Sequence, residues 1–158
     1  AISEFTGVAH RLEEVRRLAG VLWVNDSIAT APERVLAALD AFEEPLILLA
    51  GGRDKDLPWQ QFAERVVARV RVLVLFGEAA DLIAEHVSRA LHAAAGRAPA
   101  LAAVVRAGTL AAAVDAAAAQ ARPGDVVLLS PGGTSFDAFR DFAERGRRFR
   151  EMVEQLSE

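Results

Sequence analysis

The chain has 158 residues, of which 53% are apolar, with no cysteine and a formal net charge of −4. That length suits one compact domain. The missing cysteines exclude disulfides and thiolate metal sites, and the acidic balance offers no field to attract a nucleic-acid backbone. No apolar run nears the ~20 residues needed to span a bilayer, and no secretory leader pattern opens the sequence. A cytoplasmic, monomeric domain working without membrane or nucleic acid is therefore expected. The chain begins at Ala1 rather than methionine, which points to further sequence upstream.

Taken in chain order, a strand over about Arg11–Leu18 is followed at once, across Ala19-Gly20, by a second at Val21–Asn25. So short a link makes them an antiparallel hairpin. Apolar, β-branched runs then recur at Pro45–Ala50, Val72–Phe76, Ala102–Val105 and Asp125–Leu129. Helical patterns fall between them at Pro32–Phe42, Trp59–Arg69, Ala79–Ala95 and Thr109–Ala121, and a longer one runs from Phe136 towards Leu156. Strands that alternate with helices and read as continuous apolar runs belong to parallel sheets covered on both faces. The fold expected is α/β and Rossmann-like. It has a mostly parallel sheet of about six strands, an antiparallel N-terminal strand and helices on both faces. The alanine-rich stretches are read as helix. Neither an internal repeat nor a domain boundary is visible.

In such a sheet ligands bind beyond the carboxyl ends of the strands. Three segments at those ends hold most of the unusual residues: Asn25-Asp26-Ser27-Ile28-Ala29-Thr30, Gly51-Gly52-Arg53-Asp54-Lys55 and Ser130-Pro131-Gly132-Gly133-Thr134-Ser135-Phe136. Thr30-Ala31-Pro32-Glu33 fits a helix capping box, a role compatible with anion binding at a helix start. Asp26 suits a turn, or a ribose. Lys55 is the one lysine against seventeen arginines, and Asn25 the one asparagine. Lysine is a compact charge for a single carboxylate or phosphate, or merely a solvated surface group. The glycines of the third segment expose backbone N–H groups, and Thr134 or Ser135 could cap the helix that follows. His10-Arg11 reads either as a surface pair or as a phosphate contact. His86 and His92 read as ordinary surface residues, and Trp23 and Trp59 as packing. Phe136, Phe139, Phe142, Phe149 and Met152 read as core, with one at the helix start free to meet a ligand. Neither a Walker P-loop nor G-x-G-x-x-G occurs anywhere.

These segments, in this order, resemble the C-terminal domain of the Mur ligases, in the branch that adds glutamate. The residues that carry the likeness are Phe5-Thr6-Gly7 with His10-Arg11-Leu12-Glu13, Trp23-Val24-Asn25-Asp26-Ser27 with Ala29-Thr30, and Gly51-Gly52 with Lys55. Pro123-Gly124-Asp125, Leu128-Leu129-Ser130-Pro131 and Ser135-Phe136-Asp137 with Phe139, Phe142 and Glu144-Arg145-Gly146 complete it. The likeness covers essentially the whole chain. It implies an ATP- and magnesium-dependent ligase of peptidoglycan-precursor synthesis. A UDP-binding N-terminal domain and a central ATPase domain would lie outside this chain, and the fragment alone would be inactive. The partners implied are glutamate, ATP and UDP-N-acetylmuramoyl-L-alanine. Thr30, Lys55 and Ser135, with Phe136 and Phe142, would bind glutamate. Asp26 would hold the ribose and Arg11 the phosphates, with His10 and Asn25 around the nucleotide. No metal ligand is implied in this chain. One position departs from the pattern: Ile28 stands where the family often has lysine, and Arg53 is a possible substitute. An L-glutamate-adding branch, a folylpolyglutamate synthase domain and a stand-alone small-ligand module are the alternatives.

Overall fold

The computed structural model describes residues 8–94 and 96–157. Phe5-Thr6-Gly7, part of the resemblance, and Ala95, the expected end of the third helix, lie outside the described residues. Among the described residues six strands alternate with five helices: β1 (Glu13–Leu18), β2 (Val21–Asn25), α1 (Pro32–Asp40), β3 (Leu46–Gly51), α2 (Gln60–Arg69), β4 (Val70–Phe76), α3 (Ala80–Ala93), β5 (Ala103–Gly108), α4 (Leu110–Gln120), β6 (Val126–Gly132) and α5 (Phe142–Glu154). The strands form a single sheet in the order β1-β2-β6-β3-β4-β5. β1 and β2 pair antiparallel and every other pair is parallel, as the sequence predicts.

The continuous apolar runs are explained by burial on both faces. Along β3, Leu46, Leu48 and Ala50 enter the core layer covered by α1, α2 and α3, while Ile47 and Leu49 enter the layer covered by α4 and α5. Leu22 and Val24 of β2, and Val126 and Leu128 of β6, follow the first pattern; Trp23, Val127 and Leu129 follow the second. At the edge, β5 alternates instead: Val104 is exposed whereas Ala103 and Val105 pack inward. A fully buried leucine or valine contributes ~1.5–3 kcal/mol, so register is fixed where the site is built.

β6 is the last strand in sequence, yet it lies between β2 and β3. Its successor helix α5 covers one face, while α1 and α2, which follow its neighbours, cover the other. Chain directions therefore diverge at the carboxyl ends of β2, β6 and β3. This opens the crevice where open α/β sheets bind ligands.

Two local expectations need correction. The last helix begins at Phe142 rather than Phe136, capped by Asp141, whose side chain accepts the Glu144 N–H at 2.8 Å. Neither Thr134 nor Ser135 caps it. Residues 136–138 form a turn, closed by the Ala138 and Phe139 N–H groups donating to the Ser135 carbonyl. The capping box at Thr30 also does not form: α1 starts after Ala31 with no side-chain cap, Pro32 taking the first turn.

Candidate functional site

The three polar segments follow three adjacent strands and are tied to one another. The Gly132 N–H donates to the Ala29 carbonyl at 2.9 Å, joining the β6 end to the loop after β2. Arg53 and Thr134 exchange two backbone hydrogen bonds of 2.9 Å, joining the loops after β3 and β6. That approach requires glycine on both sides. A Cβ on Gly133 would stand 2.6 Å from the Gly51 carbonyl oxygen, and Gly52, at φ 98°, would place one against the Thr134 carbonyl.

Beneath these loops lies Arg145, reaching up from α5 and fully buried. It donates to the Ser27 carbonyl at 3.2 Å and the Gly133 carbonyl at 3.0 Å. Among the described residues its other guanidinium nitrogens have no partner and no carboxylate touches it. Burial pushes its pKa down to about 10, with Asp137 opposing from a distance. One cation thus pins the loops after β2 and β6, and its NH1 lies 2.9 Å from the point a Gly52 Cβ would occupy. Sequence reasoning gave Arg145 no role. One arginine among seventeen carries no compositional signal.

The segment before β1 folds across the end of β2. His10 and Leu12 adopt left-handed conformations, φ 65° and 46°, a strained choice for non-glycine residues. The effect is to aim the Leu12 N–H at Asp26 Oδ1, 3.1 Å away, while Ser130 Oγ donates to Asp26 Oδ2 at 2.8 Å. Both donors are neutral. Burial pushes the Asp26 pKa up to about 6, against the pull of these hydrogen bonds and of Arg11 and Arg34. Asn25 donates to His10 Nδ1 and Glu13 Oε1 and accepts the Ser27 N–H. Sequence reasoning placed Ser130 and Glu13 in the matching motifs but gave neither a role. Their contacts span 104 and 12 residues, and no local pattern announces them.

The predicted residues divide into two groups. His10, Arg11, Asn25 and Asp26 gather around the end of β2. Arg11 and Asp26 line an open cleft of about 370 Å³ with Leu12, Ile28, Ala29 and Arg34. Ile28, the departure from the family pattern, therefore shares this cleft with Arg11 and Arg34. Arg53 instead pairs with Glu78 at 3.0 Å. Thr30, Lys55 and Ser135 lie on the three tied loops: Thr30 half-buried, Ser135 buried and Lys55 exposed, without an ion pair among the described residues. Phe136 is 56% exposed, and Phe142 sets its ring edge-on to His10. Phe149 is core, with Phe139 and Met152 packed against it. Among the described residues no group of three His, Asp or Glu could hold a metal. No described helix is long and apolar enough to cross a membrane.

The model of the Mur ligase family's glutamate ligase domain matches residues 10–133. The chain is 47% identical over 156 residues to the UDP-N-acetylmuramoylalanine–D-glutamate ligase of Symbiobacterium thermophilum, covering 99% of this chain and 32% of that protein. It is 42% identical to the ligase of the same name from Pelotomaculum thermopropionicum, with 98% and 32% covered. The chain thus spans about a third of the length of these curated relatives. Among solved structures, a murein peptide ligase from Psychrobacter arcticus superposes with a TM-score of 0.66 at 14% identity, over 99% of this chain and 32% of that one. FolC of E. coli, in complex with ADP, superposes at 0.61 and 17%, over 94% and 32%. With a family match over most of its length and the fold to go with it, the chain belongs to the Mur ligase family, as its glutamate ligase domain.

Proposed function

We propose that this chain is the glutamate-supplying C-terminal domain of a cytoplasmic, ATP-dependent ligase that adds D-glutamate to UDP-N-acetylmuramoyl-L-alanine. The observation that carries the reading is identity of 42–47% across nearly the whole chain to ligases of that name. The relatives' threefold greater length supports a UDP-binding and a central ATPase domain elsewhere in the same polypeptide. Those domains would supply the P-loop and hold magnesium, and this domain alone would turn over no ATP. In the reaction, phosphoryl transfer from ATP activates the alanyl carboxylate as an acyl phosphate. The glutamate amine then attacks the carbonyl carbon and phosphate leaves.

This chain's contribution is positioning and electrostatics. Lys55, a cation on the loop after β3 without an ion pair among the described residues, is suited to a carboxylate of glutamate. Thr30 and Ser135, on the two loops tied to it, offer hydroxyls, and the backbone at Phe136 and the ring of Phe142 complete the pocket. At the other cleft Asp26 would accept ribose hydroxyls, and Arg11 would meet phosphate. His10 and Asn25 lie beside the nucleotide. The fit is chemical as well as spatial: a buried carboxylate with only neutral partners gains from hydroxyl donors. Ligation would require the domain to close over ATP.

The test is ligation by the full-length protein, with ATP, UDP-N-acetylmuramoyl-L-alanine and either D- or L-glutamate. Product with D-glutamate is expected. Product only with L-glutamate would move the protein to the L-glutamate-adding branch, and product with neither would overturn the reading. Lys55→Ala should raise the glutamate KM about tenfold or more, the loss of a charge-assisted contact, and leave the ATP KM nearly unchanged.

A further inference from the structure

Asn25, at the end of β2, is fully buried, and its side chain makes three contacts with different chemical demands. The Ser27 backbone N–H can only donate, and it meets Oδ1 at 3.1 Å. The Glu13 carboxylate accepts, and its Oε1 lies 3.1 Å from Nδ2. Its other oxygen stands 3.4 Å from Arg150. The amide orientation is thereby fixed. Turning it over would set an NH2 group against the Ser27 N–H and a carbonyl against a carboxylate. The second hydrogen of Nδ2 is then directed at His10 Nδ1, 2.9 Å away. An NH2 group cannot accept, so Nδ1 must present its lone pair and the ring proton must sit on Nε2.

We infer that Asn25 is a positioning residue that holds His10 as the neutral, Nε2-protonated tautomer, leaving Nε2–H as the ring's one donor for an oxygen of a bound nucleotide. The ligand clause rests on the nucleotide reading above; the tautomer does not. The ring has little freedom to escape this arrangement. His10 is held in a left-handed backbone conformation, Phe142 stands edge-on with centroids 6.1 Å apart, and Gly146 leaves room where any Cβ would strike Nδ1. The charged groups around the ring are Glu13 on β1, Asp141 at the start of α5, and Arg147 and Arg150 on α5. Burial, with the two arginines, holds the His10 pKa below its ordinary value, against Glu13 and Asp141. Protonating Nδ1 would break the Asn25 contact and set N–H against N–H.

The test is imidazole nitrogen NMR on the full-length protein labelled with 15N at histidine and asparagine. His10, one of three histidines in this chain, is assigned by a His10→Gln variant. In the wild type at pH 7.5, Nδ1 should be unprotonated and show a scalar coupling across the hydrogen bond from Asn25 Nδ2. A protonated Nδ1 there would overturn the inference without any variant. In Asn25→Asp the carboxylate accepts instead of donating, so Nδ1 should gain a proton and the His10 titration midpoint should rise by on the order of one pH unit or more. An unchanged tautomer and midpoint in that variant would equally overturn it. Addition of ADP should move the Nε2 signal. A still signal at saturating ADP would remove the ligand clause and leave the tautomer standing, and failure of ADP to bind at all would instead count against the nucleotide reading.

Discussion

Two buried aspartates lie at opposite ends of the same sheet, and each is 4% exposed. Asp125, just ahead of β6 at the amino end, meets the Arg71 guanidinium at 2.6 Å and the Arg122 N–H at 2.8 Å. Asp26, just past β2 at the carboxyl end, meets a backbone N–H and a serine hydroxyl, and its pKa is pushed up to about 6. The arginines divide the same way: Arg71 has its carboxylate, while Arg145 has, among the described residues, only carbonyl oxygens and is pushed down to about 10. Where the fold serves only stability, charge is cancelled within the chain. At the end that carries the candidate site, buried charge has only neutral partners among the described residues.

The largest effect expected from this contrast is at the amino end. Asp125→Ala takes the counter-charge from Arg71, whose side chain is only 18% exposed and keeps just the Gln120 carbonyl, and leaves the Arg122 N–H without its acceptor. Breaking such a pair costs about 3–4 kcal/mol, the lower part of the range because Arg71 retains some water. Urea unfolding should show that loss, while the KM values for ATP and glutamate in the full enzyme stay near wild type. A large KM change with unaltered stability would erase the distinction between the two ends.

Asp26→Asn should do the reverse. The amide keeps the shape without the buried charge, so stability at pH 7 should hold or rise while the ATP KM climbs about tenfold. The pH dependence has a definite sign. A carboxyl whose pKa is raised on folding stabilises most when protonated in both states, below about pH 4. That contribution is lost as pH rises through about 6. The loss amounts to about 2–3 kcal/mol. Unfolding free energies of wild type minus Asp26→Asn, measured from pH 4 to 8, isolate this group from carboxylates that titrate in the opposite sense. A flat difference would mean that Asp26 is not unneutralised.

How much of this was legible in the sequence follows from the range of the interactions. The sheet was legible because burial on both faces writes itself as local runs, such as Leu46–Ala50. The three loops of the candidate site were legible because strand ends concentrate glycine and polar residues. The start of α5 was not: Phe136, Phe139 and Phe142 mimic helical spacing, but Asp141 is the residue that caps, and Phe136 points to solvent. Thr30 matched a capping box that Ala31 and Pro32 displace. The internal logic of the site, Ser130 on Asp26 and Arg145 under Ser27 and Gly133, joins residues more than a hundred positions apart in two of these three contacts. No periodicity encodes it.

Gly146 carries the comparison to a finer scale. In the middle of a helix glycine is normally a loss, and alanine would gain about 1 kcal/mol. Here an added Cβ would collide with His10 Nδ1 and Ser27 Oγ. Overpacking costs about 1–3 kcal/mol, so Gly146→Ala should be destabilised by about 1 kcal/mol net and should raise the ATP KM by displacing His10. A variant more stable than wild type with normal nucleotide kinetics would show that His10 moves aside freely.

The smallest effect expected concerns a charge that is neither cancelled in the interior nor held in reserve there. Arg53 and Glu78 form an exposed pair, 47% and 58% open to water, on the loops after β3 and β4. The Arg53 hydrogen bond holds the Glu78 pKa below its ordinary value. Water screens such pairs well, so Glu78→Gln should leave the unfolding midpoint unchanged. It also frees Arg53 two residues from Lys55. If Arg53 supplies the positive charge that Ile28 does not, the variant should lower the glutamate KM two- to threefold, an effect that weakens as salt is raised. An unchanged KM at low salt would remove Arg53 from that role, leaving Arg11 and Arg34, which line the neighbouring cleft with Ile28, as the cations to test next.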